Sequence, residues 1–219
     1  MLALLPLGSA HADLILSPVS VVSNSLGDRT DEPVASVIDQ SGLSGGFTSG
    51  VTDYATYLST SPTHVARVDN GGQWRSTSGN TTGSIVFDLG QPYTIERFAI
   101  WQGGSNARAR VSRQNINGVT LETSPDPAFT SPFAAGSFNV PRDVGVSAWP
   151  VNDFDLADST ARYVRLTINS NYDFDGTTSS TRFGEIAFEV SAIPEPSAAL
   201  SGGLLMVGLL SKRRQRAST

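Results

Sequence analysis

The chain has 219 residues, 20 acidic against 15 basic, and no cysteine. Thiol nucleophiles and cysteine-ligated metals are thereby excluded, and a chain of this length can build a core without disulfides. Between Asp13 and Glu195 all 20 acids face only 11 arginines, a net charge of −9 that disfavours nucleic acid and anionic membranes and suits neutral sugars or divalent cations.

Met1 to Ala12 is apolar and ends in Ala10-His11-Ala12. Small residues at the first and third positions of that triplet fit a signal-peptidase site, with cleavage before Asp13. A basic start is lacking, which leaves a buried first strand as the other reading. If the leader departs, His64 is the only imidazole, so a triad or metal site needing more histidines has nothing to use.

Residues 13–192 suit one all-β domain. The stretch from Asp28 to His64 holds Ser41-Gly42-Leu43-Ser44-Gly45-Gly46, Tyr54 and Tyr57, and reads as an elaborated loop at one end of a sandwich. Then apolar residues alternate. Ile85, Phe87 and Leu89 share one face, with Val86 and Asp88 on the other. Val119 and Leu121 flank Thr120. Val164, Leu166 and Ile168 alternate with Tyr163, Arg165 and Thr167; Ile186, Phe188 and Val190 alternate with Glu185, Ala187 and Glu189. Period two means half-buried antiparallel strands, with Phe87 and Leu89 facing inward. Between them Asp69-Asn70-Gly71-Gly72, Ser78-Gly79-Asn80, Gly90-Gln91-Pro92 and Ser124-Pro125-Asp126-Pro127 are strand breakers. No long segment carries a helical stripe. The expected fold is an antiparallel β-sandwich followed by a C-terminal hydrophobic helix.

Sugar recognition needs an aromatic face and planar polar groups. Trp149 beside Pro150, with Tyr172 and Phe174 in the Asn169–Asp175 stretch, are the candidate ligand-binding residues. Trp74 and Trp101 lie close enough to strands to be core. Asp153, Asp155 and Asp158, and the pair Asp173 and Asp175, raise paired carboxylates for glycoside hydrolysis. Their Asn- and Ser-rich setting reads instead as solvated turns, so no catalytic residue is assigned. The Asn80-Thr81-Thr82 sequon reads as a turn.

At the end, Pro194-Glu195-Pro196 precedes an apolar run from Ala198 to Leu210 and the basic cluster Lys212, Arg213, Arg214 and Arg216. That order parks a segment in a membrane with its charges on the cytoplasmic side. Between Pro196 and Lys212 lie 15 residues. As a helix they reach ~22 Å, short of a ~30 Å hydrocarbon core. A processed address, a plain tail anchor and a helix packed on the domain are the three readings.

Residues 193–219 resemble the PEP-CTERM sorting tail of Gram-negative bacteria. The resemblance implies export, transient insertion in the inner membrane, recognition by an exosortase through Pro194, Glu195, Pro196, Lys212, Arg213 and Arg214, and delivery to the cell surface or extracellular matrix. A second resemblance lies in the body. Asp69–Ser76 with Trp74, Gly83–Gly90 followed by Tyr93–Phe98, Gly118–Phe129, Ala161–Leu166 and Phe183–Phe188 are similar, in order, to the strands of discoidin, or coagulation-factor type C, domains. It implies a galactose-binding-like jelly roll. It also implies a structural Ca²⁺ with Asp69 and Glu185 as side-chain ligands, where the residues alone allow Asp69 to cap its turn and Glu185 to pair with Arg182. The family's threonine two places before the tryptophan is Gly72 here. The expected function is non-catalytic adhesion to, or binding of, extracellular polysaccharide. A structural matrix component without a defined ligand, and an exported hydrolase, are the alternatives.

Overall fold

The computed structural model describes residues 13–65, 72–104, 113–142, 148–173, 176 and 179–193. The leader, Asp69, Phe174, Asp175 and the sorting tail with its expected helix lie outside them. Ten strands are described: β1 (Leu14–Leu16), β2 (Ser20–Asn24), β3 (Thr63–Val65), β4 (Trp74–Arg75), β5 (Gly83–Trp101), β6 (Gly118–Ser124), β7 (Phe133–Asn139), β8 (Ala148–Ile168), β9 (Arg182–Phe183) and β10 (Glu185–Ala192). Every strand pair is antiparallel.

Two long strands organise the sandwich. The Gly83–Asp88 half of β5 pairs with β2 and with Tyr163–Ile168 of β8, which β6 and then β7 extend. The Tyr93–Trp101 half pairs with β10 and with Val151–Ala161 of β8; β1 and β3 flank this layer. The layers are thus β2-β5-β8-β6-β7 and β1-β10-β5-β8-β3, with β5 and β8 common to both. Gly90-Gln91-Pro92 does not end the strand, as its composition suggested. The chain bends there and stays extended, with Gly90 at φ 89° and the ladder slipping between Asp88 and Tyr93. Glycine's freedom at positive φ and a register slip let one strand leave the first layer and enter the second.

The core lies between the layers. Phe87, Leu89, Leu121, Val164 and Leu166 of the first meet Phe98, Ile100, Ile186 and Phe188 of the second, and Phe87 and Leu89 are buried as the alternation required. Phe87 and Phe188 stand 6.4 Å apart between ring centres; Phe98 meets Phe138 edge-on at 5.2 Å. Each such ring contributes about 1.5–3 kcal/mol through burial.

The second layer is covered on its outer face too. Residues 40–60 fold over it, and Tyr54 and Tyr57 pack with Ile15, Ala99, Trp101 and Ala187. Phe47 meets Tyr57 edge-on at 4.9 Å, and the Trp101 indole donates to the Pro62 carbonyl at 3.0 Å. The segment contains the short helix α1 (Tyr54–Ser59), capped where Asp53 accepts from the Thr56 amide. The region read as an end loop is therefore in part a third layer. β10 is buried along nearly its whole length, rather than on alternate residues.

Three further expectations are corrected. Asp153, Asp155 and Asp158 lie in β8, not in a loop, and Arg97 pairs with Asp153 at 2.5 Å and Asp155 at 3.1 Å. Trp149 is in β8 opposite His64 and only 1% exposed; its indole donates to the Gly104 carbonyl at 3.0 Å. Arg182 pairs with Glu32, not with Glu185.

Candidate functional site

β4 and β9 form a two-residue ribbon beside the sandwich, Trp74 opposite Phe183 and Arg75 opposite Arg182. The two rings, fully buried, meet edge-on at 5.5 Å and fix the ribbon to the core. Four chain segments converge on it and enclose a cleft of about 310 Å³. Asp28, Arg29 and Thr30 come from the turn after β2, and Ser76, Thr77 and Ser78 from the chain leaving β4. Gln114 precedes β6, and Ser179 and Ser180 precede β9.

Hydrogen bonds tie these segments together. The Ser76 amide donates to the Thr181 carbonyl at 2.9 Å, and the Thr181 amide donates to the Ser76 hydroxyl at 2.8 Å. The Gln114 side-chain amide donates to the Ser180 hydroxyl at 2.9 Å, while its oxygen accepts from Arg182. Ser78 and Ser179 share a hydroxyl contact of 2.7 Å across the opening. Asp28 Oδ1 accepts from the Trp74 indole at 3.0 Å, from Asn24 at 2.8 Å and from the Val34 amide at 3.2 Å.

Under the cleft runs a charged network. Glu32, 7% exposed, meets Arg75 at 2.5 Å and Arg182 at 3.6 Å, and accepts from Gln73. Gln73 in turn accepts from the Gly104 amide at 2.5 Å. Burial pushes Arg182 down to about 10; Glu32 opposes that shift, and the nearby Arg75 and Arg29 add to it. Beside Gln114, Asn115 is fully buried and both atoms of its side-chain amide lack a partner. A buried amide without partners is costly, which makes this position unusual in a native core.

The expected ligand residues are only partly brought together. Tyr172 stands next to the cleft wall, since its amide donates to the Asn115 carbonyl at 3.2 Å. Its hydroxyl is spent on the Val140 carbonyl at 2.7 Å, and the Arg142 guanidinium lies 5.7 Å over its ring. The chain from Tyr172 goes on to supply Ser179 and Ser180; Phe174 lies outside the described residues. Trp149 is remote from this role in the core. No aromatic ring lines the cleft among the described residues. Sequence reasoning missed Arg29, Ser76, Gln114 and Ser180. Only their turn-rich surroundings hinted at them, because four distant segments supply them.

Glu185 occupies a different place. It is fully buried, Oε2 accepts from the Gln40 amide at 3.1 Å, and Oε1 has no partner. Burial, then the charge of Asp39, push its carboxyl well above the usual range, against the Gln40 amide. An unpartnered buried carboxylate oxygen beside a second carboxylate is the donor chemistry that a hard cation takes, so this half of the expected Ca²⁺ pair fits. The Gly72 carbonyl is engaged by His64 Nε2 at 2.5 Å. Among the described residues no group of three or more metal-ligating side chains occurs.

Comparison with known proteins agrees with this architecture. No curated protein matches the chain. The C-terminal domain of a chitobiase from Bacteroides fragilis superposes with a TM-score of 0.52 at 18% identity, covering 82% of this chain and 99% of that one. The family 32 carbohydrate-binding module of Streptococcus pneumoniae EndoD gives 0.50 at 15% identity, covering 80% and 97%. At such identities the likeness is one of fold. The family model for the F5/8 type C domain matches residues 49–183, most of the sandwich together with β4 and β9, and the chain thus belongs to the F5/8 type C domain family.

Proposed function

We propose that this is a non-catalytic carbohydrate-binding protein and that the glycan sits in the cleft beside β4 and β9. The observation that carries the reading is the cleft itself. About 310 Å³ is lined by hydroxyl, amide, carboxylate and guanidinium side chains from four segments, and the buried Asn115, next in the chain to Gln114, has an unpartnered side-chain amide. A sugar ring is matched by many convergent donors and acceptors held by rigid neighbours. A solved neighbour of the same fold is a carbohydrate-binding module, which supports the class of ligand. Glu185 holds a structural Ca²⁺ in this reading.

Binding of the purified chain to a glycan array tests the proposal. Gln114→Ala with Ser180→Ala should weaken the best glycan at least tenfold, about 1.4 kcal/mol, while circular dichroism shows that the β-sandwich is kept. Silence across the array would leave the structural matrix component. That rival draws on one observation, the lack of an aromatic platform among the described lining residues.

The ends of the chain complete the proposal. The leader and the tail carry export, exosortase sorting with transient membrane insertion, and residence at the surface or in the matrix of a Gram-negative bacterium, where adhesion to polysaccharide would take place. No helix among the described residues is long and apolar enough to cross a membrane.

A further inference from the structure

The body of the chain is strongly acidic, yet its sugar cleft is where arginines gather. Arg75 and Arg182 share the single carboxylate of Glu32. Arg182 Nε, buried, has no acceptor. Arg29 is exposed, lines the cleft, and forms no ion pair among the described residues. Asp28 also lines the cleft, but its Oδ1 is committed to three donors, one of them the Trp74 indole that anchors the ribbon. Asp28 and its chain neighbour Arg29 form no ion pair with each other. Arg29 is therefore a guanidinium at the cleft without a carboxylate partner among the described residues.

We propose that the cleft selects an acidic sugar, a hexuronate whose carboxylate pairs with the guanidinium of Arg29 while its hydroxyls meet Gln114 and the serines. The proposal rests on the reading of the cleft as a glycan site. A guanidinium fork matches the two oxygens of a planar carboxylate, which a neutral hexose cannot offer. Arg29 lies close enough to Arg75 and Arg182 for their like charges to repel, so an added anion relieves the cluster. The overall acidity of the chain suits neutral sugars; Arg29 gives the cleft a cationic group that an acidic sugar can use.

The test is titration calorimetry of the full chain with short galacturonate, glucuronate and mannuronate oligomers, each beside its carboxyl-reduced neutral twin. At least one uronate should bind tenfold or more tightly than its twin. Arg29→Gln should abolish that preference, and Arg29→Lys should restore part of it, with the thermal midpoint unchanged in both. Raising salt should narrow the gap between the twins, because the distinguishing contact is ionic. Equal binding of acid and neutral twin, or a preference that survives Arg29→Gln, would overturn the acidic-sugar inference and keep the glycan site. Binding of neutral glycans alone would do the same. No binding of either twin, with an array that is also silent, would overturn both.

Discussion

At Glu185 the environment decides what the residue can do. Its carboxyl is buried with one oxygen unpartnered, and its pKa is raised above the ordinary 4.5 by burial and by Asp39. A carboxyl raised in the folded state binds its proton more tightly there than in the unfolded chain. Its contribution to stability is full below pH 4.5 and is lost as pH climbs toward the folded value. The metal-free protein should therefore lose stability with rising pH through this group. Calcium should offset the loss by binding the folded state alone. Glu185→Gln should flatten the pH slope and remove most of the calcium gain while the chain stays folded. Thermal melts at several pH values, with calcium and with chelator, check both parts. Melts that calcium leaves unmoved at every pH would rule out the cation. The sequence marks Glu185 through resemblance alone. Its isolation and the nearness of Asp39 come from residues nearly 150 positions apart in the chain.

At the scale of elements, period two was a faithful guide wherever one face meets the core and the other meets water. Phe87 and Leu89 point inward, and Val164, Leu166 and Ile168 do likewise. It misled at β10, because residues 40–60 cover the outer face and bury Glu185, Ala187 and Glu189 as well. It misled at Trp149, where a Trp-Pro pair looked like a loop. Pro150 is tolerated inside β8 where that strand pairs with the short β3. The cleft was the least legible part, since Glu32, Arg75 and Arg182 meet only once β4 and β9 have paired.

The cover is held by a fit at His64. A Cβ added at Gly42 would lie 1.9 Å from its Nε2, and one at Gly184 would lie 2.7 Å from its ring. The imidazole is thus clasped between the covering segment and the turn before β10. Its ring nitrogens lie 2.5 Å from the Gly72 carbonyl and 3.0 Å from the Val65 carbonyl, and burial lowers its pKa. Gly42→Ala should cost about 1–3 kcal/mol, the usual range for overpacking. Shortening the partner by His64→Ala should recover part of that cost, giving a measurable coupling in a double-mutant cycle. Denaturant titrations of the four proteins would show it, and strictly additive losses would separate the two residues.

At the scale of the whole molecule, charge is distributed by position. Acids dominate the body, and the cluster of basic residues at the end follows an apolar run. We expect surface-located molecules to begin near Asp13 and to lack the run after Pro196. Mass spectrometry of the native protein checks this; recovery of an intact 200–216 peptide from most surface molecules would favour a retained anchor instead.

The pairing of β1 with β10 fixes where the sandwich begins and ends. Leu14 lies opposite Val190, so the chain enters and leaves the sandwich at one pole. The cleft belongs to the other pole, since β9 joins β10 at Glu185 and Ala192 ends the strand. Eight residues of extended chain separate the two, about 26 Å. If the protein is tethered through its C-terminus, as we propose, the attachment leaves from the pole of the sandwich opposite the cleft.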